Sequence, residues 1–277
     1  MKLFNKVAII GTGLIGGSLA LALKKKGLAE EIVGVSRHKK TLSLAKKMKV
    51  IDKGSQDLEI IQGADLVILA TPVNTIINLA PEISKVIAKG CIVTDVGSTK
   101  EAIVSRLEKI FPRYVGSHPL AGSEKRGIAS ANAGIFKGSL CILTPTINTD
   151  RIAEERISNM WIKLGAKVIR LTPAAHDKIL SFVSHLPHLV AFSLIGAVPG
   201  KYLKFASGGL KDTTRVAASD SELWADIFLS NQKNMAKAIA LIEENLSKIK
   251  SAIKRRDKRL LIKILKNAQD KRKALRG

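Results

Sequence analysis

The sequence predicts an α/β fold in which an N-terminal doubly wound parallel sheet is followed by an all-α region, and three observations predict it. Short apolar, β-branched runs alternate with helical stretches up to residue 171. A glycine-rich turn joins the first of these runs to the first helical stretch. Strand-like runs vanish after Thr172, and amphipathic helical segments carry the chain to its end. Two domains follow, 1–171 and 172–277, and 277 residues that are 46% hydrophobic can fill both cores.

In chain order, KVAII (6–10) reads as a buried strand, and LIGGSLALALKKKG (14–27) reads as a helix after a tight turn. EIVGVS (31–36) is a second strand within the length of one βαβ unit, so a right-handed crossover and parallel pairing are expected. DLVILA (65–70), CIVTDV (91–96), YVGSH (114–118), CILTP (141–145) and AKVIRL (166–171) supply the remaining strands. Thr172-Pro173 has the form of an N-cap with proline at the first helical position, and it starts a long helix toward His185. A helical region of this length with few polar breaks suits a partner subunit, and a homodimer is expected.

Composition narrows the setting. The apolar runs VAIIG and LVILA fall far short of the roughly 20 residues of a membrane helix, and the first residues lack the apolar core of a secretion signal, so a cytoplasmic protein is expected. Cys91 and Cys141 form no CxxC pattern, which leaves neither a zinc site nor a disulfide framework, and no metal is expected. The net charge of +23 raises nucleic acid as a partner, but the surplus is spread along the chain and aromatics are only 4%. Specific nucleic-acid binding is therefore not expected; a positive field also suits small polyanionic ligands.

Gly11-Thr12-Gly13-Leu14-Ile15-Gly16 lies between a strand and a helix, the setting in which GxGxxG has meaning. The glycines permit a tight turn, backbone approach to a pyrophosphate and close helix packing, while the helix N-terminus offers free N–H groups. This is the signature of a Rossmann-type dinucleotide site. After the second strand, where an NAD site places a carboxylate, the chain has Ser36-Arg37-His38-Lys39-Lys40. Ser36 can donate to a 2′-phosphate and Arg37 can pair with it, so NADP is favoured over NAD. Thr71 and Pro72 follow a strand at the ligand edge of the sheet and join the expected cofactor contacts.

Three further segments carry reactive side chains: Asp95-Val96-Gly97-Ser98-Thr99-Lys100, Ser117-His118-Pro119-Leu120-Ala121-Gly122-Ser123-Glu124 and Ser184-His185-Leu186-Pro187-His188. With GTGLIGG ahead of them and Asp212-Thr213-Thr214-Arg215 behind, the ordered set resembles the prephenate and arogenate dehydrogenase family, from about residue 6 to 231. The resemblance implies hydride removal from a hydroxylated cyclohexadienyl ring, with loss of the ring carboxylate as carbon dioxide. It implies that His118 accepts the ring hydroxyl's proton, with Ser98 beside the same hydroxyl. It further implies that His188 and Arg215 bind substrate, the latter through a carboxylate, with His185, Glu124 and Asp212 in the surrounding polar network. Ser98 and Glu101 also fit a helix capping box, and Trp224 suits core packing. Prephenate is the expected substrate, with arogenate as the alternative. The competing class is a β-hydroxyacid dehydrogenase or cyclic-imine reductase, which needs no SHPxAGSE segment.

Overall fold

The computed structural model describes residues 2–122 and 126–275. Its sheet has eight strands: β1 (Phe4–Ile10), β2 (Ala29–Val35), β3 (Lys53–Ser55), β4 (Leu66–Leu69), β5 (Ile92–Asp95), β6 (Tyr114–Pro119), β7 (Leu140–Leu143) and β8 (Lys167–Arg170), in the order 3-2-1-4-5-6-7-8. Every expected strand forms, and the short polar β3 is an addition that the apolar pattern did not signal. All neighbours are parallel except β6 and β7, where His118 faces Ile142 in antiparallel register. The sheet is thus the doubly wound, mostly parallel one expected, with one antiparallel pair that the strand pattern did not signal. Parallel return needs a long crossover, usually a helix, and the described residues between β6 and β7 form only the single turn Ile128–Ser130.

Helices cover both faces, which is why the strands read as continuous apolar runs rather than as alternation. Along β1, Val7 and Ile9 join a core with α1 (Leu14–Lys25), α2 (Lys39–Lys47) and α5 (Arg151–Lys163), filled by Leu19, Leu23, Ile157 and Trp161. Ala8 and Ile10 join the opposite core with α3 (Val73–Val86) and α4 (Glu101–Leu107), filled by Ile76, Ile83, Ile103 and Leu107. Both cysteines are buried and free, and burial pushes the Cys91 thiol up to about 12, leaving it an inert small hydrophobe.

Beyond the sheet, Thr172 accepts a hydrogen bond from the Ala175 N–H at 3.2 Å and caps α6 (Pro173–Leu180), with Pro173 in the first turn. The helix does not run on regularly to His185. A widened π-type turn, Ser181–His185, leads into α7 (Leu186–Ala197). Pro187 has no N–H to give the carbonyl one turn back, and the wider turn absorbs that loss. Then follow α8 (Gly208–Thr214) and α9 (Ser221–Ser230). The stretch Pro173–Ala197 is long and apolar enough, by length and composition alone, to cross a bilayer, a feature that the runs singled out from the sequence did not include. It also carries His176, Asp177 and His185, all fully buried.

Contacts divide the chain into two compact units, Met1–Asn231 and Gln232–Gly277. Helices α6 to α9 thus belong with the sheet, although the texture of the sequence changes near residue 172. The second unit comprises α10 (Gln232–Lys254) and α11 (Lys258–Ala274), joined by a turn in which Arg256 takes a positive φ of 53° and Asp257 caps α11 through the Leu260 N–H at 2.9 Å. Leu246 and Ile253 are exposed along α10.

Candidate active site

In the order 3-2-1-4-5-6 the strand order reverses between the parallel β1 and β4, and the crevice at their carboxyl ends is where an open α/β sheet binds ligands. The glycine motif lines it. Gly11 has φ +98°, and a Cβ there would lie 2.5 Å from the Ala70 carbonyl oxygen; at Gly16 it would lie 2.0 Å from the Gly11 oxygen. These two glycines are required by the fold itself. Gly13 differs, since a Cβ there would meet no protein atom within 4 Å. Its backbone N-caps α1 without any side-chain cap, leaving the helix N-terminus open to an anion. Leu14 and Ile15 begin the helix, half-buried. On either side of the crevice, the buried hydroxyls of Thr12 and Thr71 have no hydrogen-bond partner within the protein. Two orphaned hydroxyls beside an open helix N-terminus fit the phosphates of a dinucleotide. Pro72 is exposed and precedes α3.

At the end of β2, Ser36 Oγ accepts from the His38 N–H at 3.3 Å, and the Arg37 carbonyl accepts from Gln56 Nε2 at 2.6 Å. The Arg37 backbone is thereby fixed while its side chain, like those of His38, Lys39 and Lys40, remains exposed. No carboxylate follows β2 at this point.

Next along the sheet, a buried polar cluster clasps the carboxyl ends of β5 and β6. Lys100, fully buried, pairs through Nζ with Asp95 and donates to the Ser117 carbonyl at 3.0 Å. The Tyr114 hydroxyl donates to Asp95 at 2.6 Å, and the Gly97 N–H donates to the same carboxylate at 2.8 Å. An unpaired buried ammonium or carboxylate would be costly, and here each answers the other. The clasp fixes the loop that carries Ser98, which is half-buried.

His118 stands on β6 and retains 8% exposure. Its Nδ1 is 2.8 Å from His176 Nε2, and His176 Nδ1 is 2.7 Å from Asp177 Oδ1. Asp177 also accepts the backbone N–H groups of Lys100 and Glu101, at 2.7 and 2.9 Å. The start of α4 is therefore capped by a carboxylate from α6, and not by the Ser98–Glu101 box that the sequence suggested. Asn231 Nδ2 donates to the Asp177 carbonyl at 2.8 Å and lies 3.2 Å from His185 Nδ1. The buried His185 Nε2 has no partner that closes a hydrogen bond, with the Ser98 backbone beside it. His188 stacks on Trp224 at 3.6 Å between ring centroids, and its Nδ1 lies 2.9 Å from the Ser184 carbonyl.

Burial holds all four of these imidazoles below their ordinary range. For His118 the depression is deep, with desolvation first and the neighbouring His176, Lys100 and His185 adding to it. His176 is lowered by burial against the opposing pull of Asp177, and His185 is pushed down to about 4 by burial. His188 is lowered by burial and by the nearby Arg215 guanidinium. Neutral imidazoles are the resting state of the cluster.

The structure thus gathers His118, His185, His188, Trp224 and the Ser98 loop, with Arg215 close enough to act on His188. Trp224 packs in the core, as expected, and also forms the stacking floor under His188. Asp212, on α8 just ahead of Arg215, is exposed. Glu124 lies outside the described residues. The sequence reading missed His176, Asp177 and Asn231. The His-Asp pair itself was the available signal, but it sits on an ordinary first helical turn with no motif around it. Among the described residues no group of His, Cys, Asp and Glu could hold a metal ion.

An open phosphate cradle on a doubly wound sheet, beside a neutral buried histidine cluster, defines a nucleotide-binding oxidoreductase, a dehydrogenase. Family models agree in detail: the prephenate dehydrogenase nucleotide-binding domain matches residues 19–170, and the prephenate dehydrogenase dimerization domain matches 172–267. The chain belongs to the prephenate dehydrogenase family. A Bacillus subtilis prephenate dehydrogenase is 34% identical over 98% of the chain and 76% of its own length. The structure of the Aquifex aeolicus prephenate dehydrogenase, in complex with hydroxyphenyl propionate and NAD+, superposes with a TM-score of 0.92 at 36% identity over 98% of both chains. A Synechocystis arogenate dehydrogenase superposes at 0.81 and 31% identity, over 97% of this chain and 99% of its own.

Proposed function

We propose that the chain oxidises prephenate to 4-hydroxyphenylpyruvate with loss of carbon dioxide, as a step of tyrosine biosynthesis, and that His118 is the proton acceptor. The observation that carries this reading is the histidine cluster: a neutral His118 imidazole beside the ligand crevice, built into a chain of this family. The chemistry supplied by a bound nicotinamide dinucleotide is hydride acceptance from the ring carbon that bears the hydroxyl. Gly11 to Gly16, Thr12 and Thr71 would hold its phosphates, and Ser36 and Arg37 would hold the adenosine end, with NADP favoured over NAD because no carboxylate follows β2. His118 takes up the hydroxyl proton as carbonyl character builds, then returns it as carboxylate loss restores the aromatic ring. Ser98 sits near the same hydroxyl, while Arg215 pairs with a substrate carboxylate and His188, held by Trp224, lines the pocket. His185, Glu124 and Asp212 complete the polar surroundings.

We place the functional division at 171/172, with the helical part carrying substrate and subunit contacts in a cytoplasmic homodimer. Ile179, Phe182, Val183 and Leu194 are exposed on α6, the π-type turn and α7. A second copy would cover that face, whereas a bilayer would have to accept the buried His176 and Asp177 of the same stretch. The test of function is an absorbance assay at 340 nm that crosses prephenate and arogenate with NAD and NADP. Prephenate with NADP should give the highest kcat/KM; preferential use of arogenate would make the protein an arogenate dehydrogenase, and no reduction with either substrate would refute the reading.

A further inference from the structure

We propose that His176 and Asp177 are positioning residues for His118, fixing which of its ring nitrogens is free to take a proton; the proposal rests on the functional reading above. The direction of the hydrogen bonds follows from what each group is able to do. The Asp177 carboxylate already accepts two backbone N–H groups, and towards His176 Nδ1 it is again an acceptor. His176 Nδ1 therefore carries the hydrogen, and in a neutral ring Nε2 is then an acceptor. That acceptor faces His118 Nδ1 at 2.8 Å, so the hydrogen of neutral His118 is on Nδ1. His118 Nε2 is left with its lone pair, and among the described residues nothing binds it. Without the partner, an imidazole in water favours the other arrangement, with hydrogen on Nε2, which would offer a donor where an acceptor is needed.

The same carboxylate caps α4, and Asn231 holds its backbone carbonyl, so the orienting group is itself anchored from two sides. When His118 gains a proton, the positive ring faces Asp177 through His176. Lys100 and His185 oppose that charge, and Asp95 is already matched by Lys100.

The arrangement is tested by ¹⁵N NMR of the imidazoles in the full chain, whose five histidines make assignment tractable. Above pH 7 the expected spectrum shows His118 protonated at Nδ1 and bare at Nε2, without any substrate present. A spectrum with hydrogen on Nε2 overturns the proposal whether or not the chain oxidises prephenate, and activity that fails with the Nδ1 tautomer in place refutes the functional reading instead. Two variants extend the test. His176→Leu should lower kcat by about 10- to 100-fold, with KM for substrate and cofactor changed less than about twofold, and should move the His118 hydrogen to Nε2. His176→Gln should recover most of the turnover, because its amide oxygen can accept from Nδ1 while its N–H donates to Asp177. Equal losses in both variants with an unchanged His118 tautomer would reduce His176 to a packing residue.

Discussion

The cofactor crevice and the histidine cluster lie along one sheet edge but are built by opposite means. The crevice is made of backbone: one loop between β1 and α1 supplies a positive φ, a close carbonyl and an open helix N-terminus within six residues. The cluster is made of side chains from β6, α6, the π-type turn and the segment at Asn231, and their hydrogen bonds span up to 77 positions in sequence. A site written in backbone geometry tolerates change at neighbouring side chains, whereas one written in long-range side-chain bonds depends on each member. Binding and proton handling should therefore be separable by mutation.

The largest effect expected on the proton side is that of His118→Asn, which should lower kcat by roughly 10²–10⁴ while leaving cofactor affinity intact. Loss of cofactor affinity in step with turnover would break the separation. Because the neutral imidazole is the active form, kcat/KM should hold near neutrality and fall only as pH drops through the His118 pKa. Burial sets that pKa below the ordinary 6.5, so the acidic limb should lie lower than for a free histidine. A limb at or above 6.5 would contradict the burial seen here.

Arg215→Ala should come next, raising the substrate KM through loss of about 2–4 kcal/mol of charge-assisted binding, roughly 30- to 1000-fold. An unchanged KM would remove Arg215 from the pocket. On the crevice side, the glycines sharpen the comparison by splitting into two kinds. Gly16→Ala should cost about 1–3 kcal/mol of stability in a denaturant titration, because its Cβ meets the Gly11 carbonyl at 2.0 Å. Gly13→Ala should leave stability nearly unchanged yet weaken dinucleotide binding by about tenfold, since the space that its methyl enters is the space the phosphates need. The smallest effect expected is that of Arg37→Asp, about tenfold weaker binding of NADP with NAD little altered, read by calorimetry. Equal weakening of both would show that Arg37 does not face the 2′-phosphate.

The same contrast explains what could be read from the sequence. GTGLIG between a strand and a helix is a local pattern with a local cause, and its glycines form the expected turn. His118, His185 and His188 stood out because they lie within ordered segments of a recognisable family. His176 and Asp177 did not, because their importance is made by folding, when α6 meets the start of α4 and the end of β6. Ser98 and Glu101 illustrate the reverse: a sound local rule proposed a cap, and a carboxylate 76 positions from Glu101 took the place. The antiparallel β7 was hidden for a similar reason, since an apolar strand carries no mark of its direction.

The stacking of His188 on Trp224 gives the protein an optical reporter of its own pocket. There are only two tryptophans. Trp161 is sealed in the sheet core beside Phe136, while the Trp224 ring lies 3.6 Å, centroid to centroid, from an imidazole that can gain a charge. A protonated imidazole quenches indole emission more strongly than a neutral one, so acid titration should dim Trp224 against a steady Trp161 background. A ligand that parts the two rings should brighten it, making occupancy of the pocket visible in a fluorimeter without any label.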